Sequence, residues 1–432
     1  MTTASTVTSR ALMARRQAAL GRHSLTFYSE PLHLLSGQGV WLRGADGVEY
    51  LDAYNNVPHV GHCNPVVVRA ISDQAARLNI NTRYLFEPTV EYAELLLGTF
   101  AEHLDKVLFT NSGSESNELA LRIARQHSGS RGIIVSDYSY HGNTISLAEA
   151  TTGLTVNEPL GAHVRSLTIP DLDSDPRTEA TVRDAALDTA AAAIASLQAE
   201  GHGVSALLFD PLFSTEGLPR LPTGYVGALA DMVRAAGGLV IGDEVQSGFG
   251  RSGSHFWGHE LVDVSPDIVT LGKPIGNGHP LGATVTTTEL IEEFGSANLY
   301  FNTFAGNPVS SAAGMAVISE MRDRELQQNA RHVGTRAREI LSDIANGSPH
   351  IRCVKGTGLF FGLEFGDPDG KPLPERAKWV VEDMRRKGVL ISTIGRYSNV
   401  LKIRPPMVFD TLNLDTLTDR LGTSIQELSA TH

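Results

Sequence analysis

Gly238-Leu-Val-Ile-Gly-Asp-Glu244 is a short apolar run that ends in two carboxylates. Its composition is typical of a strand that is buried on both faces, as in a parallel sheet. Asp243 therefore falls at the carboxyl end of a predicted strand. Open α/β sheets bind ligands just outside these strand ends, so the position suits a carboxylate that faces a bound molecule.

A lysine in a turn follows Asp243 by 30 positions, within Thr270-Leu-Gly-Lys-Pro-Ile-Gly-Asn-Gly-His-Pro280. Its glycine and proline neighbours place Lys273 outside a helix interior, where the backbone turns sharply and a ligand can approach closely. A lysine amine and a carboxylate in this arrangement predict a pyridoxal 5'-phosphate site. The carboxylate would raise the pKa of the pyridine nitrogen and keep it protonated, so that the ring can accept electrons.

Short apolar runs alternate with longer helical stretches, and this rhythm predicts an α/β fold with a mostly parallel sheet flanked by helices. About seven strands are predicted, at 106–110, 132–136, 164–170, 206–212, 238–244, 267–272 and 282–287. The alanine-rich stretch 185–198 is predicted to be a helix. No repeat of about 20 to 50 residues is visible, which argues against solenoids and propellers.

The pattern changes after residue 310 and predicts a second, smaller domain. A long helical stretch at 310–344 leads into short strands within 352–365 and 389–407. Strand-like segments at 40–43 and 50–51 suggest that the N-terminal segment joins this smaller domain. We therefore expect three parts: an N-terminal segment 1–59, a large cofactor-binding domain 60–310 and a C-terminal small domain 311–432.

Charge and composition limit the partners. The chain has 432 residues, 41% of them hydrophobic, and a net charge of −12, which argues against a nucleic-acid or anionic-membrane surface as main partner. No apolar run approaches the length of a transmembrane helix. Cys63 and Cys353 do not form a disulfide framework, so a reducing compartment, the cytoplasm, is predicted. No metal site is predicted.

The first twenty residues contain Arg10, Arg15 and Arg16 and no acidic residue, so they superficially resemble a mitochondrial transit peptide. The preferred interpretation is a short disordered tail followed by an N-terminal helix. Whether this segment is processed stays open.

Phe109-Thr-Asn-Ser-Gly-Ser-Glu-Ser-Asn-Glu118 offers a cradle for the cofactor's phosphate after the first strand of the large domain. Gly113 lets the backbone turn, and Ser114 can open the following helix, whose free amide groups and dipole attract a phosphate. Such turns also cap helices without any ligand, so the motif is informative only beside Asp243 and Lys273.

Two further segments carry candidate cofactor contacts. In Ser139-Tyr-His-Gly142, Tyr140 could stack on the pyridine ring, with His141 as the adjacent alternative. In Phe301-Asn-Thr-Phe-Ala-Gly-Asn-Pro308, Thr303 offers a hydroxyl to a phosphate. Simple packing and a simple polar loop are the respective alternatives.

These motifs together resemble the class-III aminotransferase family of fold-type-I pyridoxal phosphate enzymes. The resemblance covers about residues 50–407. It rests on the order and spacing of Ser112-Gly-Ser-Glu, Tyr140-His-Gly, Asp243-Glu-Val-Gln, Gly272-Lys and Asn302-Thr.

The resemblance implies a role for each matching position. Lys273 would bind the cofactor covalently and move protons, and Asp243 would partner the pyridine nitrogen. Val245 would pack beneath the ring and Gln246 would hydrogen-bond its hydroxyl. The remaining implied contacts are Gly113 and Ser114 with the phosphate, Tyr140 with the ring, and Thr303 with the phosphate of a neighbouring subunit's cofactor. The last role implies a homodimer with active sites at the subunit interface.

Three segments look more like the ethanolamine-phosphate phospho-lyase branch than like ordinary ω-aminotransferases. They are Asn55-Asn-Val-Pro-His-Val-Gly-His62, Gly272-Lys-Pro-Ile-Gly-Asn-Gly-His-Pro280 and Ile391-Ser-Thr-Ile-Gly-Arg-Tyr-Ser-Asn-Val-Leu-Lys-Ile-Arg-Pro-Pro-Met407. The alanine-glyoxylate aminotransferase branch shares Ser254-His-Phe-Trp257 and Gly276-Asn-Gly278, so these two do not discriminate. A departure from many relatives occurs at Asp210-Pro-Leu-Phe-Ser-Thr-Glu-Gly-Leu218, where those relatives carry Glu-Pro and a glycine pair.

Lys402 and Arg404 are the candidate ligands for a substrate phosphate. In an extended segment they share one face at a spacing of about 7 Å, and Pro405 favours extension at Arg404. Two cations suit a dianionic phosphate better than a single carboxylate. Arg83 is a weaker third candidate. The alternatives are two surface charges, or an Arg404 that binds a substrate carboxylate.

The leading hypothesis is therefore a pyridoxal phosphate-dependent phospho-lyase. It would eliminate phosphate from a small amino-alkyl phosphate, most simply phosphoethanolamine, to give acetaldehyde, ammonia and phosphate. The alternative is an ω-aminotransferase that moves an amino group to an oxo acid such as pyruvate or glyoxylate. A cofactor-binding protein without catalysis is disfavoured because Lys273 and Asp243 are both present. A nicotinamide dehydrogenase is disfavoured because the first strand leads into Ser112-Gly-Ser rather than a glycine fingerprint.

Overall fold

The structure is a computed structural model that describes residues 8–431. Its strands are β1 Leu34–Gln38, β2 Trp41–Gly44, β3 Glu49–Asp52, β4 Lys106–Thr110, β5 Ile133–Ser136, β6 Val164–Leu167, β7 Ala206–Phe209, β8 Leu239–Asp243, β9 Ile268–Leu271, β10 Gly282–Thr286, β11 Ile351–Thr357, β12 Phe360–Phe365, β13 Val389–Leu390, β14 Ser392–Ile394 and β15 Val400–Lys402. Its helices are α1 Ser9–Leu20, α2 Pro65–Arg77, α3 Glu87–Leu97, α4 Gly113–Ser128, α5 Ile145–Ala148, α6 Glu179–Ala199, α7 Tyr225–Ala235, α8 Gly258–Leu261, α9 Thr288–Ala297, α10 Pro308–Asp323, α11 Leu326–Asn346, α12 Pro374–Arg386 and α13 Thr411–Thr431.

A seven-stranded sheet in the order β4-β10-β9-β8-β7-β5-β6 forms the centre of the molecule. All seven predicted strands are present in it, some shorter than expected. β5, β6, β7, β8 and β9 pair in parallel, whereas β10 is antiparallel to both of its neighbours. The expectation of a mostly parallel sheet is therefore confirmed, and β8 with Asp243 at its carboxyl end lies in the middle of it.

Helices cover both faces of this sheet, because alternate strand residues pack into two separate cores. Ile133 and Ile241 belong to a core that includes residues of α4 and α9. Ile134 and Val240 belong to a second core with residues of α6 and α7. This arrangement explains why the strands read as continuous apolar runs rather than as alternating patterns. The helix predicted at 185–198 lies within α6.

Two smaller sheets surround the central one. The first has the order β1-β2-β3-β13, so strands near the N-terminus share a sheet with Val389–Leu390. The second has the order β11-β12-β15-β14 and is antiparallel throughout. This sheet membership agrees with the expectation that the N-terminal segment joins the C-terminal part, while the domain boundaries at 59 and 310 remain predictions.

The prediction of one long helical stretch at 310–344 is wrong in one respect, since two helices occupy it. α10 ends at Asp323 and α11 starts at Leu326, with Glu325 between them in the left-handed region at φ 50°. The turn buries Leu326, which is 3% exposed, in the largest core. The predicted N-terminal helix is present as α1, whereas the predicted tail at residues 1–7 lies outside the described residues.

A buried ion cluster joins the central sheet to the β11–β12 hairpin. Lys355 of β11 is 3% exposed, and its Nζ lies 2.7 Å from Asp171 and 3.4 Å from Asp173, both in the segment after β6. Glu364 of β12 lies 3.3 Å from the same nitrogen. The contact ties the small antiparallel sheet to the large one.

No helix within residues 8–431 is long and apolar enough to cross a membrane. Within the same range, no group of three or more His, Cys, Asp or Glu side chains is arranged to hold a metal ion.

Candidate active site

A cavity of about 110 Å³ lies at the carboxyl ends of the central strands. Its lining brings together most of the predicted cofactor residues. They are Gly113, Ser114, Tyr140, Asp243, Val245, Gln246 and Lys273, joined by Asn117, His141, Gly142 and Asp210. The position outside the strand ends is the one expected for a ligand of an open α/β sheet.

Asp243 is held by a buried network at the base of this cavity. Its Oδ2 accepts hydrogen bonds from Asn117 Nδ2 at 2.9 Å and from His141 Nδ1 at 2.8 Å, and its Oδ1 accepts one from the amide of Val245 at 3.1 Å. Thr270 donates to Asn117 Oδ1 at 2.6 Å and so fixes the orientation of that amide. Asp243 is 5% exposed. The carboxylate is thus oriented in advance for a cation such as a protonated ring nitrogen.

Lys273 begins a short 3-10 helix directly after β9, at residues 273–276. Gly272 precedes it, and a Cβ atom there would lie 3.0 Å from the amide nitrogen of Gly113. Glycine therefore favours the close approach of the lysine turn to the start of α4, because a larger residue would crowd the backbone of Gly113. The Lys273 side chain is open to the cavity, yet protein surrounds it closely. This removal from bulk water, followed by the charge of Arg404, lowers the pKa of its amine.

The start of α4 has the features of a phosphate cradle. Ser112 caps the helix by accepting a hydrogen bond from the amide of Glu115 at 3.1 Å. Gly113 at the first helical position packs against Val245, and a Cβ there would lie 2.9 Å from Val245 Cγ2. The free amide groups and the dipole of a helix N-terminus suit an anion. The residues present therefore fit pyridoxal phosphate, with a cation partner, an amine and an anion cradle around one cavity.

Lys402 and Arg404 meet at Gln246 on the edge of this cavity. Lys402 is the last residue of β15. Its two neighbours, Leu401 and Ile403, alternate with Lys402 and Arg404 along the chain and are fully buried. Gln246 Oε1 accepts hydrogen bonds from Arg404 Nη1 and, at 3.5 Å, from Lys402 Nζ. Both cations also lie over the rings of Tyr54 and Phe360, at 5.2 to 5.8 Å from the centroids. The predicted shared face is confirmed.

Neither cation has a carboxylate partner among residues 8–431. Arg404 is 3% exposed, and its Nε is buried without a hydrogen-bond partner. Burial, opposed by nearby acidic groups, lowers the pKa of Arg404 to about 10. Burial, Arg404 and Lys273, in that order, lower the pKa of Lys402 well below its usual value. Arg404 is buried and Lys402 is partly buried, and a charge removed from water without a counter-ion is costly, so a bound anion would stabilise this pair.

Asp210 is the acid that acts electrostatically on both cations, but other groups hold it. Its carboxylate accepts hydrogen bonds from the Ser214 hydroxyl, from the amide of Leu212 at 3.0 Å and from the amide of Ser214 at 3.3 Å. Gln246 Nε2 lies 3.5 Å from Asp210 Oδ2 and separates it from Arg404. Burial raises the pKa of Asp210 to about 6.

Thr303 and Arg83 lie apart from this cavity. Both side chains are exposed, and the Arg83 guanidinium stacks over the ring of Phe301 at 4.2 Å. The structure therefore does not bring Arg83 to Lys402 and Arg404 within one chain. The two residues share one surface region, since Phe301 is two positions from Thr303.

A family model described as aminotransferase class-III matches residues 23–425. The chain belongs to this family. Class-III aminotransferases are fold-type-I pyridoxal phosphate enzymes, so the predicted fold class is confirmed.

Three relatives sharpen the comparison. A phospholyase from Arthrobacter, solved in complex with phosphoethanolamine, is 57% identical, with a TM-score of 0.95 over 96% of this chain and 99% of that chain. The ethanolamine-phosphate phospho-lyase homolog 1 of Caenorhabditis elegans is 34% identical over 94% of this chain and 91% of its own. An alanine-glyoxylate aminotransferase 2-like protein of Drosophila melanogaster is 40% identical over 93% of this chain and 84% of its own.

The sequence did not reveal three residues of the site. Asn117 and Asp210 line the cavity, and His141, considered only as a stacking group, instead binds Asp243. A weak sequence signal marked Asn117. It lies four positions after Gly113, where α4 packs on the sheet, and polar side chains are seldom buried in such a position. Asp210 carried another such signal, as an acid at the end of an apolar strand.

Proposed function

We propose that this protein is a pyridoxal phosphate-dependent phospho-lyase that converts phosphoethanolamine to acetaldehyde, ammonia and phosphate. The proposal rests on the buried Arg404 and the partly buried Lys402, which share one neutral oxygen of Gln246 and lack a carboxylate partner within residues 8–431. A phosphate dianion would compensate both charges. The likeness to the Arthrobacter phospholyase supports the same substrate class.

The cofactor would be held by residues that already surround the cavity. Lys273 would bind its aldehyde, Asp243 its ring nitrogen and Gln246 its hydroxyl, with Tyr140 and Val245 against the ring. Gly113 and Ser114 would hold its phosphate. When bound, the cofactor supplies an electron-accepting ring next to the amine-bearing carbon of the substrate.

Lys273 is suited to move the proton of that carbon. Burial and the charge of Arg404 lower the pKa of its amine, so a larger fraction is the neutral base near pH 7. Lys402 and Arg404 would hold the substrate phosphate at the far end. A proton would thus be removed at one carbon while the leaving group is fixed at the next.

An ω-aminotransferase is the second candidate, favoured by the 40% identity to the Drosophila protein. In that reaction Arg404 would bind a substrate carboxylate, and an oxo acid such as pyruvate or glyoxylate would accept the amino group. The proton-removal machinery is the same for both reactions, so only the leaving-group end of the site separates them.

The deciding experiment incubates the holoenzyme with phosphoethanolamine and without any oxo acid. We expect stoichiometric release of inorganic phosphate and acetaldehyde, and none from a Lys273→Ala control. Absence of phosphate release, together with amino transfer to pyruvate or glyoxylate, would establish the aminotransferase instead.

We further propose a homodimer in which Thr303 reaches the cofactor phosphate of the partner subunit. Its exposure, and the absence of a cavity contact within its own chain, suit a role in the neighbouring site. Arg83, on the same surface, would then approach the substrate phosphate from the partner. The compartment stays a prediction: Cys63 and Cys353 are both free thiols, as expected in the reducing cytoplasm.

A further inference from the structure

Release of phosphate from an amino-alkyl phosphate requires a second proton transfer, to the leaving oxygen, besides the removal of the carbon-bound proton by Lys273. If the dianionic phosphate ester left without a proton, the product would be the strongly basic trianion PO₄³⁻. A proton delivered to the bridging oxygen as the carbon–oxygen bond breaks gives HPO₄²⁻ instead. Positioned acids of this kind typically accelerate a reaction by about 10²- to 10⁴-fold.

Of the two cations at the phosphate end, Lys402 is better suited to supply this proton. The Arg404 guanidinium, with a pKa of about 10, stays charged near neutral pH and can bind the phosphate through its fixed planar donors. Lys402 carries an ammonium that can release a proton. Its Nζ lies 3.5 Å from Gln246 Oε1, the oxygen that also accepts from Arg404, so both groups converge on one place.

We propose that Lys402 is the general acid that protonates the bridging oxygen of the leaving phosphate, while Arg404 holds the phosphate as a permanent cation. This inference rests on the proposed phospho-lyase function and assigns the second proton transfer of that reaction.

The step balances in atoms and electrons. The proton of the amine-bearing carbon passes to Lys273, and its bonding electrons end as the new carbon–carbon double bond. The carbon–oxygen bond breaks with its electron pair on oxygen, and the Lys402 ammonium gives its proton to that oxygen. Phosphate leaves as HPO₄²⁻, and Lys402 is left as a neutral amine that regains a proton from water. Nothing is oxidised or reduced.

The surroundings of Lys402 favour this role. Arg404, Lys273 and Asp210 are the charged groups that act on it, and the rings of Tyr54 and Phe360 lie 5.8 Å from its Nζ. Burial, then the two cations, lower its pKa, and Asp210 opposes them only in part. An ammonium with a lowered pKa is a stronger acid than an exposed lysine, and an arriving dianion would keep it protonated until the leaving oxygen takes the proton.

Lys402→Arg tests the acid while the positive charge is retained. With phosphoethanolamine we expect kcat to fall about 10²-fold or more with KM changed less than about fivefold. Ethanolamine O-sulfate serves as the matched substrate, because sulfate leaves as a weak base and needs no proton. Its sulfate release should fall by less than about fivefold in the same variant. Equal losses with both substrates, or none with phosphoethanolamine, would overturn the assignment.

A second measurement does not depend on turnover. Sulfate binding to the holoenzyme is measured by calorimetry at pH 8 in two buffers of different ionisation enthalpy, which reports protons taken up. Sulfate does not change its own protonation near pH 8, so any proton taken up binds to the protein. We expect proton uptake by the wild type and almost none by Lys402→Arg, which should still bind sulfate.

Equal uptake by the two proteins would place the titrating group elsewhere. No uptake by the wild type would mean that Lys402 is an ordinary strongly basic ammonium, and would also contradict the proposal. Failure of the function itself is distinguishable, since it appears as a wild type that releases no phosphate from phosphoethanolamine.

Discussion

Glu216, six positions after Asp210, is a carboxyl group that forms no ion pair with any residue in the described range 8–431. Its Oε1 accepts a hydrogen bond from the Ser136 hydroxyl, and its Oε2 is buried without a partner. Burial, with smaller contributions from Asp210 and Asp137, raises the pKa of Glu216 to about 8, although the Ser136 hydrogen bond lowers it. The group is therefore protonated in the folded protein at neutral pH.

This shift predicts a pH dependence of stability. Between the unfolded pKa near 4.5 and the folded pKa near 8 the native state holds a proton that the unfolded state has lost. Stability therefore falls as pH rises through this window, by at most about 1.4 kcal/mol per pH unit from this group. Glu216→Gln keeps the acceptor for Ser136 and removes the titration.

We expect the unfolding free energy of Glu216→Gln, relative to that of the wild type, to increase progressively from pH 5 to pH 8. Urea denaturation at each pH measures both values. Glu102→Gln, at an exposed position, is the control and should give a constant difference. A difference between Glu216→Gln and the wild type that does not change with pH would contradict the expectation.

At the scale of elements, the loop after β5 packs directly on the start of α4. Gly142 in this loop has φ 146°, and a Cβ there would lie 2.7 Å from Ser114 Oγ and 2.9 Å from Ser114 Cα. The contact sets the position of the proposed phosphate cradle relative to Tyr140 and His141. Glycine is required for both the conformation and the space.

Gly142→Ala should therefore weaken cofactor binding about tenfold or more, because it displaces Ser114 from the cradle. Gly237→Ala is a matched control: Gly237 also has a positive φ, 89°, but a Cβ there meets nothing within 4 Å. Titration of the apoprotein with pyridoxal phosphate, followed by absorbance, measures both. Equal affinities in the two variants would show that the close approach does not position the cradle.

At the scale of the whole molecule, the proposed dimer predicts that one site uses residues of two subunits. The double variant Arg83→Ala/Thr303→Ala should lose most phosphate release, because each of its sites lacks the partner's contribution. The Lys273→Ala variant should also lose phosphate release, because each subunit lacks the lysine of its own site. Mixing the two proteins after dissociation creates mixed dimers with one intact site.

Random reassortment should then restore about a quarter of the wild-type specific activity, since half of the dimers are mixed and each has one working site. Phosphate release after mixing measures this recovery, and each variant dissociated and reassembled alone is the control. If mixing restores nothing although mixed dimers form, Arg83 and Thr303 do not act across the interface.

Local patterns predicted most of the fold and most of the residues that line the proposed cofactor cavity. The seven central strands were recognisable because strands buried on both faces are continuous apolar runs. Lys273, Asp243, Gly113 and Ser114 were recognisable because each follows a strand at a turn. The break at Glu325 was not predicted, since neither glycine nor proline occurs between Met321 and Leu326 to mark it; the turn buries Leu326.

The sequence by itself determined the fold class and the shared face of Lys402 and Arg404, and it predicted the residues proposed to hold the cofactor, because these depend on neighbours within a few positions. Only the tertiary structure decided that Gln246, about 156 positions away, joins the two cations, and that Asp210 is held by Ser214 instead of pairing with them. These contacts connect segments that are distant along the chain. Their consequence, a buried and a partly buried cation without a counter-ion among residues 8–431, is a property of the assembled site and of no segment alone.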